Sequence, residues 1–186
     1  MAVSPSHSPT TEFILYACPQ GDLAQQLAHY FQASQQQLGK NTAHAYMPHC
    51  TLTGFFQDDP GAVLAYQQIF AAAVDIVWGD RPSPPAHITQ LTCRPDWHGL
   101  ELDAPWFGAI AQAFAQHPQT PTRTAPIRLK TWLHLSLAYG FPPDHHAPLQ
   151  QLAQTLIDPQ APVSWELRLY QRDRPNQWRC HAQHPL

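Results

Sequence analysis

Two tetrapeptides of the same pattern place a histidine two positions before a hydroxyl residue. The first is His49-Cys-Thr-Leu and the second is His134-Leu-Ser-Leu. Residues i and i+2 of a strand point to the same face, so each tetrapeptide, as a strand, sets an imidazole beside a hydroxyl group. A single match of this kind occurs often by chance, whereas two matches at equivalent points of a repeated architecture are far more specific.

Two imidazoles and two hydroxyls suit the hydrolysis of a cyclic phosphodiester. One histidine would take a proton from water, and the other would protonate the leaving alkoxide. The unperturbed imidazole pKa of about 6.5 permits both roles near neutrality. The two hydroxyls would hold the non-bridging oxygens and stabilise the charge of the transition state. This chemistry requires no metal and no covalent nucleophile, and the sequence does not assign the base and the acid.

The surrounding sequence predicts that each tetrapeptide lies in the middle strand of a β-α-β-α-β half, with one extra strand at the end. His49 and His134 are 85 residues apart, and Asp59 and Asp144 show the same offset. A shared offset indicates an internal duplication, with sequence halves at about 12–95 and 96–186. Hydrophobic periodicity predicts helices that begin near Asp22, Pro60, Pro105 and Asp144, and strands at 12–18, 49–56, 87–94, 97–103, 131–139, 163–172 and 177–183.

Composition excludes several classes of function. The chain has 186 residues, of which 44% are hydrophobic and 12% charged, and its net charge of -3 argues against a surface for extended nucleic acid. The apolar runs are too short to predict a membrane span. Residues 1–11 predict a disordered lead-in without the features of a signal peptide. With four cysteines that show no CxxC spacing, we expect a cytoplasmic protein.

With these motifs the chain resembles the two-histidine (2H) phosphoesterase superfamily, from Phe13 to the end. The longer motif His134-Leu-Ser-Leu-Ala-Tyr-Gly and Pro48 before His49 are similar to the plant-type cyclic phosphodiesterase branch. The resemblance implies an α+β fold in which two antiparallel sheets, backed by helices, form a bilobal, pseudo-twofold domain around a central cleft. It also implies hydrolysis of a nucleoside 2′,3′-cyclic phosphate or ADP-ribose 1″,2″-cyclic phosphate.

The same resemblance assigns roles to five residues. It makes His49 and His134 catalytic, Thr51 and Ser136 phosphate-binding, and Tyr139 a substrate contact. Strand alternation alone would aim Tyr139 away from His134, so this last role requires a bulge or a strand end, and a packing role is the alternative. We expect no metal, no cofactor and no membrane contact. The expected partner of this monomer is a small cyclic nucleotide or ADP-ribose cyclic phosphate.

Other interpretations remain open at the level of sequence. An RNA end-processing enzyme, either a 2′-5′ ligase or a 3′ exonuclease, would use the same four residues, as would a non-catalytic nucleotide-binding module. Cationic residues before the second motif would guide an anionic substrate or, as we favour, only aid solubility: Arg123, Arg128 and Lys130. We interpret the tryptophans as packing residues, and His145, His146, His181 and His184 as surface residues without metal-ligand spacing.

Overall fold

The computed structural model of the protein describes residues 11–79, 85–118, 122–174 and 177–186. The predicted lead-in therefore lies outside the described residues, except for Thr11, which begins the first strand. Most of the proline-rich loop at 81–85 also lies outside them, as do parts of the predicted loop at 117–126 and of the turn at 173–176.

The described strands and helices follow the predicted order. Helix α1 ends where Gly39 adopts a φ of 81°, a left-handed conformation that glycine accepts without a steric penalty. The α+β class and the antiparallel pairing of the strands are confirmed. The bounds are β1 Thr11–Gln20, α1 Asp22–Leu38, β2 Cys50–Thr51, β3 Phe56–Asp58, α2 Val63–Val77, β4 His87–Arg94, β5 Trp97–Asp103, α3 Pro105–Gln116, β6 His134–Tyr139, α4 His146–Leu156, β7 Ser164–Arg174 and β8 Gln177–Pro185.

The strands form one continuous sheet, where the family resemblance implied two. Their order is β4-β5-β6-β2-β1-β7-β8, and β3 also pairs with β1. A single residue pair, Cys50 with Leu135, joins β2 to β6 and so connects the two groups of strands. The order is symmetric about this pair, because β1 flanks β2 as β5 flanks β6. The outer neighbours show that the sequence halves exchange strands: β7 lies beside β1, and β4 lies beside β5.

The first motif lies on a shorter strand than the sequence predicts. The expected strand at 49–56 is divided into β2 and β3. Between them, the Leu15 carbonyl oxygen accepts hydrogen bonds from the backbone N–H groups of both Leu52 and Thr53, at 3.0 and 3.4 Å. The Thr53 hydroxyl then accepts from the backbone N–H of Leu15 at 3.0 Å. A side chain thus replaces a backbone acceptor, which interrupts the ladder directly after Thr51.

The helices cover the apolar face of the sheet in pairs, α1 with α4 and α2 with α3. In the described part of the chain, one helical stretch, Pro60–Val77, is long and apolar enough to cross a membrane on length and composition alone. Its α2 segment buries one side in the main hydrophobic core, which is typical of a core helix. The buried residues are Tyr66, Ile69, Phe70, Ala73 and Val74.

Candidate active site

The pairing of β2 with β6 brings the two histidine motifs together. Cys50 lies opposite Leu135, and both side chains are fully buried. The register, extended by one residue in each direction, sets His49 opposite Ser136 and Thr51 opposite His134. These four side chains lie on the other face, because alternate residues of a strand point to opposite sides.

The four side chains therefore occupy the corners of a small rectangle. Opposite residues on neighbouring strands have Cβ atoms about 5 Å apart, and residues i and i+2 of one strand are about 7 Å apart. The imidazoles of His49 and His134 lie at one pair of diagonal corners, and the hydroxyls lie at the other pair. A tetrahedral anion at the centre would thus have an imidazole on each of two opposite sides.

This rectangle forms part of one cavity of about 450 Å³. All five sequence-predicted residues line the cavity: His49, Thr51, His134, Ser136 and Tyr139. Its volume lies within the range of sites that hold whole small molecules. The cavity therefore has room for a nucleoside in addition to a phosphate group.

Both histidines are oriented by the same local contact. The Nδ1 atom of His49 lies 2.7 Å from the Met47 carbonyl oxygen, and that of His134 lies 3.1 Å from the Trp132 carbonyl oxygen. A carbonyl group only accepts hydrogen bonds, so Nδ1 is the protonated nitrogen in each neutral ring. Nε2 is then the nitrogen that exchanges protons with a ligand.

An aromatic ring also supports each imidazole. The Tyr16 ring stacks on His49 with centroids 3.8 Å apart and an interplanar angle of 29°. The Trp132 ring stacks on His134 at 3.9 Å and 30°. Together with the bonds to the carbonyls, these stacks restrict ring rotation, so the site is organised before a ligand binds.

The environment keeps both histidines neutral near pH 7. Burial lowers the pKa of His49 to about 4, although its hydrogen bond to Met47 opposes the shift. Burial also lowers the pKa of His134, and the nearby Lys130 contributes to that shift. Protonation of His134 would disfavour protonation of His49 further. A neutral imidazole is the form that acts as a general base.

The Ser136 hydroxyl is oriented by the indole of Trp97, which the sequence alone indicated to be a packing residue. Nε1 of Trp97 donates a hydrogen bond to Oγ of Ser136 at 2.9 Å. The indole N–H can only donate, so the Ser136 hydroxyl keeps its own hydrogen for a ligand oxygen. Gly99 permits this arrangement, because an added Cβ there would overlap both the Trp97 ring and the Leu135 carbonyl oxygen.

A bulge in β6 explains how Tyr139 reaches the cavity. His98 of β5 pairs with Ala138, whereas the next residue, Gly99, pairs with Ser136, so Leu137 is an extra residue on β6. One extra residue reverses the alternation of side chains beyond it. Tyr139 therefore returns to the face of Ser136, although strict alternation would have placed it on the opposite face.

Of the three cationic residues named before the second motif, two lie at the cavity and one does not. Arg128 and Lys130 line the cavity, together with one carboxylate residue, Asp96. Arg123 is not among the lining residues. Arg128, which is exposed, and the half-buried Lys130 therefore lie where the alternative interpretation, guidance of an anionic substrate, would place them.

No group of three or more potential metal ligands occurs within residues 11–79, 85–118, 122–174 and 177–186. Two histidines interpreted from the sequence as surface residues do make specific contacts. His146 Nδ1 lies 2.8 Å from Nε2 of the fully buried His98, and His181 Nε2 lies 2.5 Å from Oε1 of Gln171.

Sequence reasoning missed the three aromatic residues that stack on a motif imidazole or bond to the Ser136 hydroxyl. Tyr16 was part of an apolar run, and both Trp97 and Trp132 were interpreted as packing residues. Trp132 is in fact 42% exposed, and all three line the cavity. The position of Trp132, two residues before His134, was an available signal, because that carbonyl holds the imidazole. Nothing in the spacing indicated Tyr16 or Trp97, which come from neighbouring strands.

Known proteins that are similar to this chain match most of its length but only part of their own. No protein-family model matches the chain. The chain is 31% identical to an ecdysteroid-phosphate phosphatase of Drosophila melanogaster, in an alignment that covers 87% of this chain and 26% of that protein. It is 33% identical to the ubiquitin-associated and SH3 domain-containing protein B of Homo sapiens, over 87% of this chain and 25% of that protein. The chain spans about a quarter of the length of the curated relatives it matches.

Proposed function

We propose that this protein hydrolyses a small cyclic phosphodiester, a nucleoside 2′,3′-cyclic phosphate or ADP-ribose 1″,2″-cyclic phosphate, to a phosphomonoester. The observation that supports this most strongly is the register of β2 and β6, which follows from the pairing of Cys50 with Leu135. That register predicts two imidazoles at diagonal corners around one phosphate. Displacement at phosphorus requires the attacking and leaving oxygens to lie in line, so a base and an acid are needed on opposite sides.

The proposed reaction adds one water molecule. Nε2 of one histidine removes a proton from water as the water oxygen forms a bond to phosphorus. The bond from phosphorus to one ring oxygen breaks, and Nε2–H of the other histidine protonates that oxygen. The hydroxyls of Thr51 and Ser136 donate to the non-bridging oxygens, whose negative charge grows in the transition state. The product is a phosphomonoester beside a free hydroxyl, and proton exchange with solvent restores both imidazoles.

We assign the role of base to His49 and that of acid to His134. Burial holds the pKa of His49 at about 4, so this residue is neutral and ready to accept a proton. Burial also lowers the pKa of His134, but its hydrogen bond to the Trp132 carbonyl oxygen and the nearby Glu101 both oppose the shift. Binding of an anionic phosphate would favour the protonated form of an adjacent imidazole in the same way.

The similarity to longer proteins supports phosphoester chemistry in general. The relative from Drosophila melanogaster and a second one from Bombyx mori are named ecdysteroid-phosphate phosphatases. The matched segment is 26% and 24% of their lengths. The preference for a cyclic diester over a phosphomonoester rests on the paired motifs of this chain.

The direct test is turnover of nucleoside 2′,3′-cyclic phosphates with EDTA present, beside a steroid phosphate as the monoester comparison. We expect the cyclic diester to be hydrolysed and the monoester to be spared. His49→Ala and His134→Ala should each lower kcat/KM by about 10²–10⁴-fold. His29→Ala, on the exposed side of α1, is the matched control. Full activity in either catalytic variant, or loss of activity in EDTA, would contradict the proposal.

The assignment of base and acid has its own test. An acyclic diester that releases p-nitrophenolate needs no proton on its leaving group. His134→Ala should therefore retain much more of the wild-type activity on this ester than on the cyclic substrate, whereas His49→Ala should lose activity on both. The reverse pattern would exchange the two roles.

A further inference from the structure

Two cationic side chains line the cavity beside the paired motifs and take no direct part in the proton transfers described above. We propose that Arg128 and Lys130 bind a second phosphate group of the substrate, outside the cyclic phosphate held by the motifs. This inference rests on the proposed function for the identity of the first phosphate. Arg128 and Lys130 are then specificity-determining residues, and the preferred substrate carries at least two phosphate groups.

The backbone fixes these two residues beside the first motif. Residue Leu129 pairs with Thr53 in an isolated antiparallel bridge. The Gly54 N–H donates to the Arg128 carbonyl oxygen at 2.7 Å, and the Lys130 N–H donates to the Leu52 carbonyl oxygen at 3.1 Å. Segment 128–130 therefore continues the sheet next to the first motif, and side chains two positions apart share its face.

Gly54 makes room for the Arg128 guanidinium. An added Cβ at position 54 would lie 2.9 Å from Nε and 3.0 Å from Nη2 of Arg128. The guanidinium thus lies against the backbone of Gly54, shortly after the first motif. This contact limits its freedom before binding, which lowers the entropic cost of forming a two-pronged contact with phosphate.

The charges of these residues are available to a ligand. Ion pairs in the described parts of the chain engage four other arginines, namely Arg94, Arg168, Arg172 and Arg179. Arg128 and Lys130 have no carboxylate partner there, and Asp96 is the carboxylate residue among the cavity-lining side chains. The cavity is therefore net positive in a chain whose net charge is -3.

The position of these charges favours a second phosphate over the first. The first would already be surrounded by the two imidazoles and two hydroxyls, and a cyclic diester carries a single negative charge. Lys130 is near enough to His134 to lower its pKa, so the second subsite adjoins the first. A cavity of about 450 Å³ holds both groups of one small molecule.

Binding of product analogues tests this inference without turnover. The probes are adenosine 2′-monophosphate and adenosine 2′,5′-bisphosphate, measured by isothermal titration calorimetry. We expect wild-type protein to bind the bisphosphate about tenfold more tightly, a value reduced from that of a buried pair because Arg128 is exposed. The Arg128→Gln/Lys130→Gln double variant should bind both probes with similar affinity. Arg179→Gln, an exposed arginine outside the cavity, should keep the wild-type ratio.

Three results would overturn the inference. One is an equal affinity of wild-type protein for the two probes, and another is no measurable binding of either. The third is a double variant that loses affinity for both probes by the same factor, because the two cations would then contact the first phosphate. Thermal unfolding of each variant verifies that the fold is intact.

Turnover then distinguishes the source of the second phosphate. The substrates are adenosine 2′,3′-cyclic phosphate, its 5′-phosphorylated form, and a dinucleotide with a terminal cyclic phosphate. A gain in kcat/KM with the 5′-phosphate alone assigns a terminal phosphate, and an equal gain with the dinucleotide assigns an internucleotide phosphate. Hydrolysis of all three at one rate overturns the inference but supports the proposed function. Selective binding of the bisphosphate without any hydrolysis supports the inference but overturns the proposed function.

Discussion

The hydrogen bond from Trp97 to Ser136 predicts that the indole acts on the reaction only through the serine. Nε1 of Trp97 lies 2.9 Å from Oγ of Ser136. Trp97→Phe removes this donor and keeps an aromatic ring beside His134, whose ring it contacts edge-on with centroids 5.3 Å apart. Without the indole N–H, the Ser136 hydroxyl can rotate away from the phosphate oxygen.

The structure sets the size of each effect. The bond joins two neutral, half-buried groups, so its loss should cost about 0.5–1.5 kcal/mol, or roughly 2- to 13-fold in kcat/KM. Ser136→Ala removes a hydrogen bond to a charged oxygen, which is worth about 1.5–3 kcal/mol, or roughly 13- to 160-fold. The double variant should match Ser136→Ala, because the indole then has no hydroxyl to orient.

A double-mutant cycle measures this coupling from kcat/KM for a nucleoside 2′,3′-cyclic phosphate. Trp106→Phe is the matched control, because it removes an indole bond to the Pro85 carbonyl oxygen at 3.3 Å, outside the cavity. It should leave kcat/KM unchanged. Equal effects of Trp97→Phe in the wild-type and Ser136→Ala backgrounds would show that the indole does not act through the serine, as would no effect in either.

Three further predictions concern stability and pH. Gly99→Ala should lower the free energy of unfolding by about 1–3 kcal/mol, because the added methyl group overlaps Trp97 and the Leu135 carbonyl oxygen. Denaturant titration measures this, and an unchanged midpoint would contradict it. Burial lowers the pKa of His98 to about 4. Between pH 6.5 and 4 the unfolded chain therefore binds a proton at this residue that the folded chain does not. As the pH falls through this range, the free energy of unfolding should decrease by up to about 1.4 kcal/mol per pH unit because of His98. His98→Gln should remove that part of the pH dependence of Tm, and His29→Gln should retain it. The profile of kcat/KM against pH should be bell-shaped with its maximum below pH 6.5. The base His49 is neutral only above about pH 4, and the lowered pKa of His134 means that its protonated, acid form is lost as the pH rises, already below pH 6.5. An optimum above about pH 7 would contradict the assignment of base and acid.

The elements that the sequence predicted correctly are those with strong local signals. Strands β4 and β5 have the predicted bounds, because alternation and flanking prolines mark both ends. Helix α1 has core residues at helical spacing and a terminal glycine, so its length was also predictable. The paired motifs carried their own signal, since a repeated His-x-hydroxyl pattern at one offset needs no structural information.

The remaining features depend on contacts between distant segments. The break after Thr51 arises because the Thr53 hydroxyl bonds to Leu15, and a threonine in a strand gives no local sign of this. The bulge at Leu137 is determined by how β6 pairs with β5. The exchange of β4 and β7 between the sequence halves is likewise set by pairing. Trp97 reaches Ser136 only because of that pairing, so its role could not be predicted from spacing.

Both motifs should act on one phosphate group, and a crystal structure of the protein with a nucleoside 2′-monophosphate is the best test of this. We expect a single phosphate in contact with His49 and His134 through Nε2 and with the hydroxyls of Thr51 and Ser136. A phosphate bound by only one motif, or a separate anion at each, would contradict it.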